Sequence, residues 1–349
     1  MGRGTIDRAT GAATQVATLD GADGDSIAAL AFNQAGVLYG ARIAFSAALS
    51  DKALLVTIDP ATGHVTTVGQ TVNKLDAIAF DPNGTPPPND MALFASALPL
   101  MRSVEFQQST ATFFVTMIVT GTGVATGCRI SPSTPIAANF LFQTTDAGNN
   151  LVGFPDIPEN IAGGAAQTFL LAFEPTASFP ATEVQLEFVC NGAGPAGVIS
   201  GVNTVIVSST GGPDIVALAL TLSNDGIVNI LGANGAGAFA VATVNLGTGG
   251  NITASANTGG LLSAAFGTQA VLPISIGLCR TDAQGQCATQ IQSSVTQQID
   301  PNETPTFAVF VTGQGVVPFD PANNRIFVLF SEGTTLRGAT SVAVRTTTP

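Results

Sequence analysis

Apolar residues along this chain come in short runs, and none keeps the i, i+3, i+4, i+7 spacing of an amphipathic helix. Most runs end in Gly, Pro, Asn or Asp, the residues that stop strands and make turns. Leu55-Val56-Thr57-Ile58 reads as a strand, Asp59-Pro60-Ala61-Thr62-Gly63 as a tight turn, and Val65-Thr66-Thr67-Val68 as the returning strand. In that turn Pro60 presets φ and Gly63 accepts a positive φ. The pattern predicts an all-β protein with little helix.

The same pattern repeats. Thr5-Ile6-Asp7-Arg8-Ala9-Thr10-Gly11 recurs 52 residues later as Thr57-Ile58-Asp59-Pro60-Ala61-Thr62-Gly63. Ser26-Ile27-Ala28-Ala29-Leu30-Ala31-Phe32 recurs as Lys74-Leu75-Asp76-Ala77-Ile78-Ala79-Phe80, and a period near 50 suits propeller blades. The segments Ile58-Asp59-Pro60-Ala61-Thr62-Gly63 and Ala79-Phe80-Asp81-Pro82-Asn83-Gly84 resemble the blades of secreted bacterial β-propellers of the lactonase-like and quinoprotein-like kind. The resemblance covers roughly residues 4 to 86 and implies blades, but carries over no catalytic residue. Propellers close with about four or more blades. Two repeats therefore predict an incomplete, truncated module over residues 1–83, with further blades upstream or another surface against its edge.

Gly84-Thr85-Pro86-Pro87-Pro88 cannot continue a ladder of strand hydrogen bonds, so a Pro-rich linker is expected at 84–103. A longer repeat follows. Ala111-Thr112-Phe113-Phe114-Val115-Thr116-Met117-Ile118-Val119 matches Gly237-Ala238-Phe239-Ala240-Val241-Ala242-Thr243-Val244-Asn245. In the same order Thr145-Asp146-Ala147 matches Thr281-Asp282-Ala283, and Thr168-Phe169 matches Thr306-Phe307. Phe179-Pro180-Ala181 matches Phe319-Asp320-Pro321-Ala322 loosely, and Gly201–Val207 matches Gly338–Val344. This order predicts a duplicated domain, 104–210 and 211–349, joined at Gly211-Gly212-Pro213. Each copy holds about seven or more short strands, which fits an immunoglobulin-like β-sandwich. The label rests on strand count alone, since the Cys and Trp spacing of true immunoglobulin domains is absent, and a jelly roll fits as well.

Composition adds partners and location. The 349 residues carry 23 acidic and 11 basic side chains, a net charge of −12, so a phosphate backbone would be repelled and nucleic acid is not an expected partner. Lysine occurs only at Lys52 and Lys74, which rules out a Lys-Asn isopeptide cross-link built wholly from residues after 74. No apolar run reaches the roughly 18 residues that span a bilayer. Met1 to Asp7 carries no apolar leader, although the rest reads as exported, and an N-terminal truncation is expected. Cys279 and Cys287 flank a turn-rich loop and are a disulfide candidate; Cys128 and Cys190 are a second pair within the preceding domain. Free thiols are the alternative for both. No Cys-x-x-Cys or Cys/His cluster argues for structural zinc.

Chemistry is sparse. His64 is the only histidine and follows a hairpin turn, where nothing nearby builds a Ser-His-Asp arrangement. Asp20, Asp23 and Asp25 in a Gly-rich loop are a weak calcium candidate, lacking EF-hand spacing; a solvated loop is the plainer reading. Asp320 to Arg325 reads as a strand connection in which Arg325 can meet a carboxylate. Phe113, Phe169, Phe173, Phe188, Phe307 and Phe330 read as core, and the absence of Trp disfavours a sugar platform. The function expected from these features is a non-enzymatic structural or adhesion protein of the bacterial exterior, with protein or cell-surface contacts that include self-association. The alternative is the C-terminal part of a secreted propeller protein whose ligand-binding or catalytic blades lie upstream.

Overall fold

The computed structural model describes residues 2–6, 13–18, 26–32, 37–43, 53–59, 61–70, 91–260 and 271–348. Among the described residues there are strands, turns and irregular segments and no helix. The chain divides into two compact units, Met1–Pro88 and Asn89–Pro349.

In the first unit β1 (Gly2–Ile6) pairs antiparallel with β2 (Ala13–Thr18). Strands β3 (Ser26–Phe32), β4 (Leu38–Ile43), β5 (Ala53–Ile58) and β6 (Val65–Gln70) form a four-stranded antiparallel meander in sequence order. Among its described residues Leu38, Val56, Ile58 and Val65 are buried, with Ile27 and Leu54 packed on them. The β5–β6 turn is tied by the Asp59 carboxylate, whose Oδ1 accepts the N–H of Ala61 at 2.8 Å and of Thr62 at 3.4 Å. The Gly63 N–H donates to the Asp59 carbonyl at 2.8 Å. The sheet straddles the sequence period, taking β3 and β4 from one repeat and the β5–β6 hairpin from the next. A four-stranded antiparallel sheet is the unit from which propellers are built; among the described residues no ring of such sheets is formed.

Among its described residues the second unit contains two sandwiches of nine strands each. In the first, β7 (Leu93–Leu98), β9 (Ala111–Val119), β11 (Ala138–Thr145) and β13 (Ala166–Pro175) make a four-stranded sheet ordered β11-β13-β9-β7. The facing sheet is ordered β12-β10-β14-β15-β8. It uses β8 (Met101–Ser103), β10 (Val124–Pro132), β12 (Glu159–Ala162), β14 (Thr182–Asn191) and β15 (Thr204–Ser208). The second sandwich follows with β16 (Ile215–Thr221), β17 (Ile227–Leu231), β18 (Ala236–Asn245), β19 (Gly250–Asn257), β20 (Ile274–Arg280), β21 (Ser294–Ile299), β22 (Thr306–Gly313), β23 (Arg325–Glu332) and β24 (Thr335–Thr347).

Its sheets are ordered β20-β22-β18-β16 and β21-β19-β23-β24-β17, the arrangement of the first copy strand for strand. Even the parallel pair recurs, β8 with β15 and β17 with β24. The sequence matches fall on equivalent elements, β9 with β18, β13 with β22 and β15 with β24. One sheet has the strand order of the ABED sheet of an immunoglobulin domain and the other contains its CFG set, so the sandwiches are immunoglobulin-like by topology.

The stretch 84–103, expected as a linker, is corrected over its second half. Leu93, Ala97, Met101 and Ser103 are buried while β7 pairs with β9 and β8 with β15. The proline run ends before these strands begin, and the alternating apolar residues after it close two sheets.

Burial alternates as the pleat requires. On β9 the inward side chains are Phe113, Val115 and Met117; on β13 they are Phe169, Leu171 and Phe173, meeting Val184, Leu186, Phe188, Val205 and Val207 from the facing sheet. The second core repeats this with Phe307, Val309 and Val311 against Ile326, Val328, Phe330, Val342 and Val344. Phe307 and Phe330 meet across it with ring centroids 5.4 Å apart. Replacing Phe307 by Ala is expected to cost about 3–5 kcal/mol, lost transfer energy plus a cavity. Denaturant unfolding of the whole chain measures this, and an unchanged midpoint would contradict the assignment of Phe307 to the core.

Candidate functional site

The two cysteine pairs are both disulfides. Cys128 on β10 is bonded to Cys190 on β14, its neighbour in the same sheet, and Cys279 at the end of β20 is bonded to Cys287 across the following loop. Asp20, Asp23 and Asp25 lie outside the described residues, so the structure does not bear on calcium there. His64 is exposed beside the β5–β6 turn. Arg325 opens β23 and meets no carboxylate in its hydrogen bonds. Its guanidinium donates to Ser341 Oγ at 2.7 Å and to the Pro321 carbonyl at 2.8 Å, and burial pushes its pKa down to about 10, which leaves it charged at neutral pH. Among the described residues no group of three or more His, Cys, Asp or Glu is placed to hold a metal ion.

What the structure does assemble is a joint between the sandwiches. Asp214, just ahead of β16, is buried. Its Oδ2 accepts from Arg102 Nε at 3.0 Å and lies 2.9 Å from Nη2, and its Oδ1 accepts the Ser103 N–H at 2.8 Å. The Asp214 N–H donates to Asn245 Oδ1 at 3.1 Å, which holds the carboxylate from the second sandwich. Arg337 on β24 reaches back to the Gly211 carbonyl and to Ser103 and Thr210 hydroxyls, and pairs with Glu332 at 2.9 Å.

Beside these polar contacts Leu100, Met101 and Ile206 pack on Phe327, Leu336 and Ala339. Two glycines let the surfaces close. A Cβ on Gly201 (φ 77°) would stand 2.7 Å from the Phe327 ring, and one on Gly212 (φ 94°) 2.6 Å from the Arg337 guanidinium. Ser341 Oγ donates to the Gly201 carbonyl at 2.7 Å.

The second feature is the outer face of the four-stranded sheets, which differs between the copies. Strand register aligns the outward row Leu98-Phe114-Leu170-Gln143 of the first sandwich with Leu220-Ala240-Ala308-Cys279 of the second. In the first copy Phe94, Leu98, Phe114 and Ile118 stand 42–56 % exposed. In the second the alanines leave a depression of about 650 Å³, floored by Ala240, Ala242 and Ala308 and walled by Leu220, Pro305 and the loop from Arg280 to Gly285.

That loop is an Asx turn present in both copies. Asp146 Oδ1 accepts the N–H of Gly148 and Asn150, and Asp282 Oδ1 those of Gln284 and Gln286. Only the second copy closes this loop with a disulfide, whereas in the first the Asn150 side chain donates to both Asp146 oxygens. The Thr-Asp-Ala match located the turn in sequence. The depression was missed, although the match of Phe114 with Ala240 carried its signal.

No protein-family model matches the chain, and no curated protein matches it. The chain has some likeness to distant solved structures. A secreted serine protease from Vibrio cholerae is 10% identical over 70% of this chain and 51% of its own, with a TM-score of 0.23. A tip adhesin from Pseudomonas aeruginosa is 6% identical over 74% and 99%, TM-score 0.21. The major pilin subunit of Bacillus cereus is 8% identical over 74% and 70%, TM-score 0.25. This chain thus spans about half the length of the first. Scores this low assign neither fold nor function.

Three outcomes are expected from this geometry. Asp214→Ala takes the carboxylate from the partly buried Arg102, leaving it Thr112 alone, and should cost about 2–3 kcal/mol in denaturant unfolding; a loss near zero would contradict the contribution of that pair. Closing loops of 62 and 8 residues, the Cys128–Cys190 and Cys279–Cys287 bonds should contribute about 4 and about 2.5 kcal/mol in the chain-entropy model. Paired Cys→Ala variants should rank in that order. The Asp146 carboxyl is held below its ordinary 3.8, first by the Asn150 side-chain hydrogen bond, so the turn's support is full above pH 3.8 and fades as pH falls through the lowered value. NMR titration of the Asp146 carboxyl should give a midpoint below 3.8, and one at or above it would contradict the turn.

Proposed function

We propose that this chain is an extracytoplasmic structural or adhesion protein of a bacterial surface, in which the paired sandwiches serve as a stiff spacer and contact module. The observation that carries the reading is the joint. Two sandwiches of one topology are seated on each other through a buried ion pair and an apolar seam rather than strung on a loose linker. Two disulfides in a chain with no free cysteine among the described residues support an oxidising compartment, where such bonds persist. Contacts with proteins or cell surfaces are then the partners to look for. A second reading, ligand binding or catalysis in further blades of a propeller that includes Met1–Pro88, is favoured by the four-stranded meander β3 to β6.

The test uses protein made by its own cells. Protease added to intact cells should digest it, or it should be found in the medium, and alkylation in denaturant without reductant should label no cysteine. Protein protected inside the cells with four alkylated cysteines would overturn the proposal.

A further inference from the structure

The divergence of the duplicated outer face has a shape. Where the first sandwich carries Phe114 and Leu170, flanked by Leu98, Phe94 and Ile118, the second carries Ala240 and Ala308 at the same register positions and is hollow. Over its two middle strands one face projects and the other recedes, on the same strand order, while on the edge strand β16 the second face keeps Leu218 and Leu220 exposed. An exposed apolar face of this size matches the largest patch a monomer commonly carries, and such patches are often functional. We propose that the occupant of the depression is a second copy of this chain, its Phe114 and Leu170 seated over Ala240 and Ala308. This names a partner for the surface role proposed above and rests on that reading.

Two observations favour a second copy as the occupant. The projecting row and the alanine floor descend from the same row of a duplicated sheet, so strand spacing and pleat repeat on both sides and side chains one row apart find hollows one row apart. The facing apolar rows themselves carry no charge, while the −12 on each chain repels at long range and keeps the association weak. The size also fits. Four strands about 4.8 Å apart and 6–10 residues long present a face of roughly 500 Å², so the pairing would bury about 1,000 Å² in all, below the extent of stable interfaces and in the range of weak, reversible contacts. Because the two faces sit on different sandwiches, the contact is heterologous, and each added copy leaves one projecting and one hollow face free. Such contacts do not close by a two-fold axis and extend head to tail.

The experiment is sedimentation velocity on the full chain over a rising concentration series. Wild type should show weak, open-ended association, a weight-average mass that keeps growing past the dimer. Phe114→Ala removes the projection and Ala240→Phe fills the hollow. Both positions are exposed, so unfolding midpoints should stay near wild type, and each variant alone should associate at least tenfold more weakly. An equimolar mixture of the two should form dimers and stop there, since one supplies the only projection and the other the only hollow.

A monomeric wild type across the series, an association untouched by either substitution, or a mixture that fails to pair would each overturn the proposal. Should the chain nevertheless be found oxidised outside its cells, the surface role would stand and only the partner would fall.

Discussion

The carboxylate of Asp214 is taken out of water at the point where one sandwich ends and the next begins, and the whole second unit depends on its being satisfied. A buried carboxylate without partners is costly, and here both oxygens are occupied from the first sandwich while its own N–H is held by Asn245 of the second. The pair therefore couples the two bodies: neither side can leave without stranding a charge. The apolar seam of Met101, Ile206 and Phe327 adds area, but apolar contact alone sets no register. The hydrogen-bonded carboxylate, with Gly201 and Gly212 permitting the approach, supplies the direction.

Duplication explains how so much can differ around a frame that does not. Inward positions answer to the core and stay apolar in both copies, Phe169 and Phe307 among them. Outward positions answer only to what covers them. Glu183 and Arg325 stand at one register position of the two copies, both buried and of opposite charge, each satisfied by a hydroxyl of the neighbouring strand, Thr204 or Ser341. Phe114 and Ala240 differ for the same reason on the opposite sheet. The copies thus share a fold and present different surfaces.

The parts of this architecture that are local or repeated were legible in sequence. The strand and turn at Leu55 to Val68 follow from Pro60, Gly63 and the flanking β-branched residues, and the duplicated order of motifs anticipated two like domains. The half-sequence of the supposed linker was misread because a proline run looks like a boundary over a wide window, whereas Leu93 and Met101 belong to strands whose partners lie far along the chain. The joint was invisible for a similar reason: nothing local marks Asp214 as the partner of Arg102, a residue 112 positions away. Divergence of the outer faces needed strand register, which sequence matching alone approximates.

A locked joint is tested most directly by the distance between the sandwiches. Spin labels placed at the exposed positions Gln108 and Gln290, one in each sandwich, report it by double electron–electron resonance in dilute solution. One narrow distance distribution, broadened when Asp214 is replaced, is the expected result. A broad distribution in the wild-type chain, indifferent to Asp214, would show two sandwiches on a loose tether and contradict the stiff spacer.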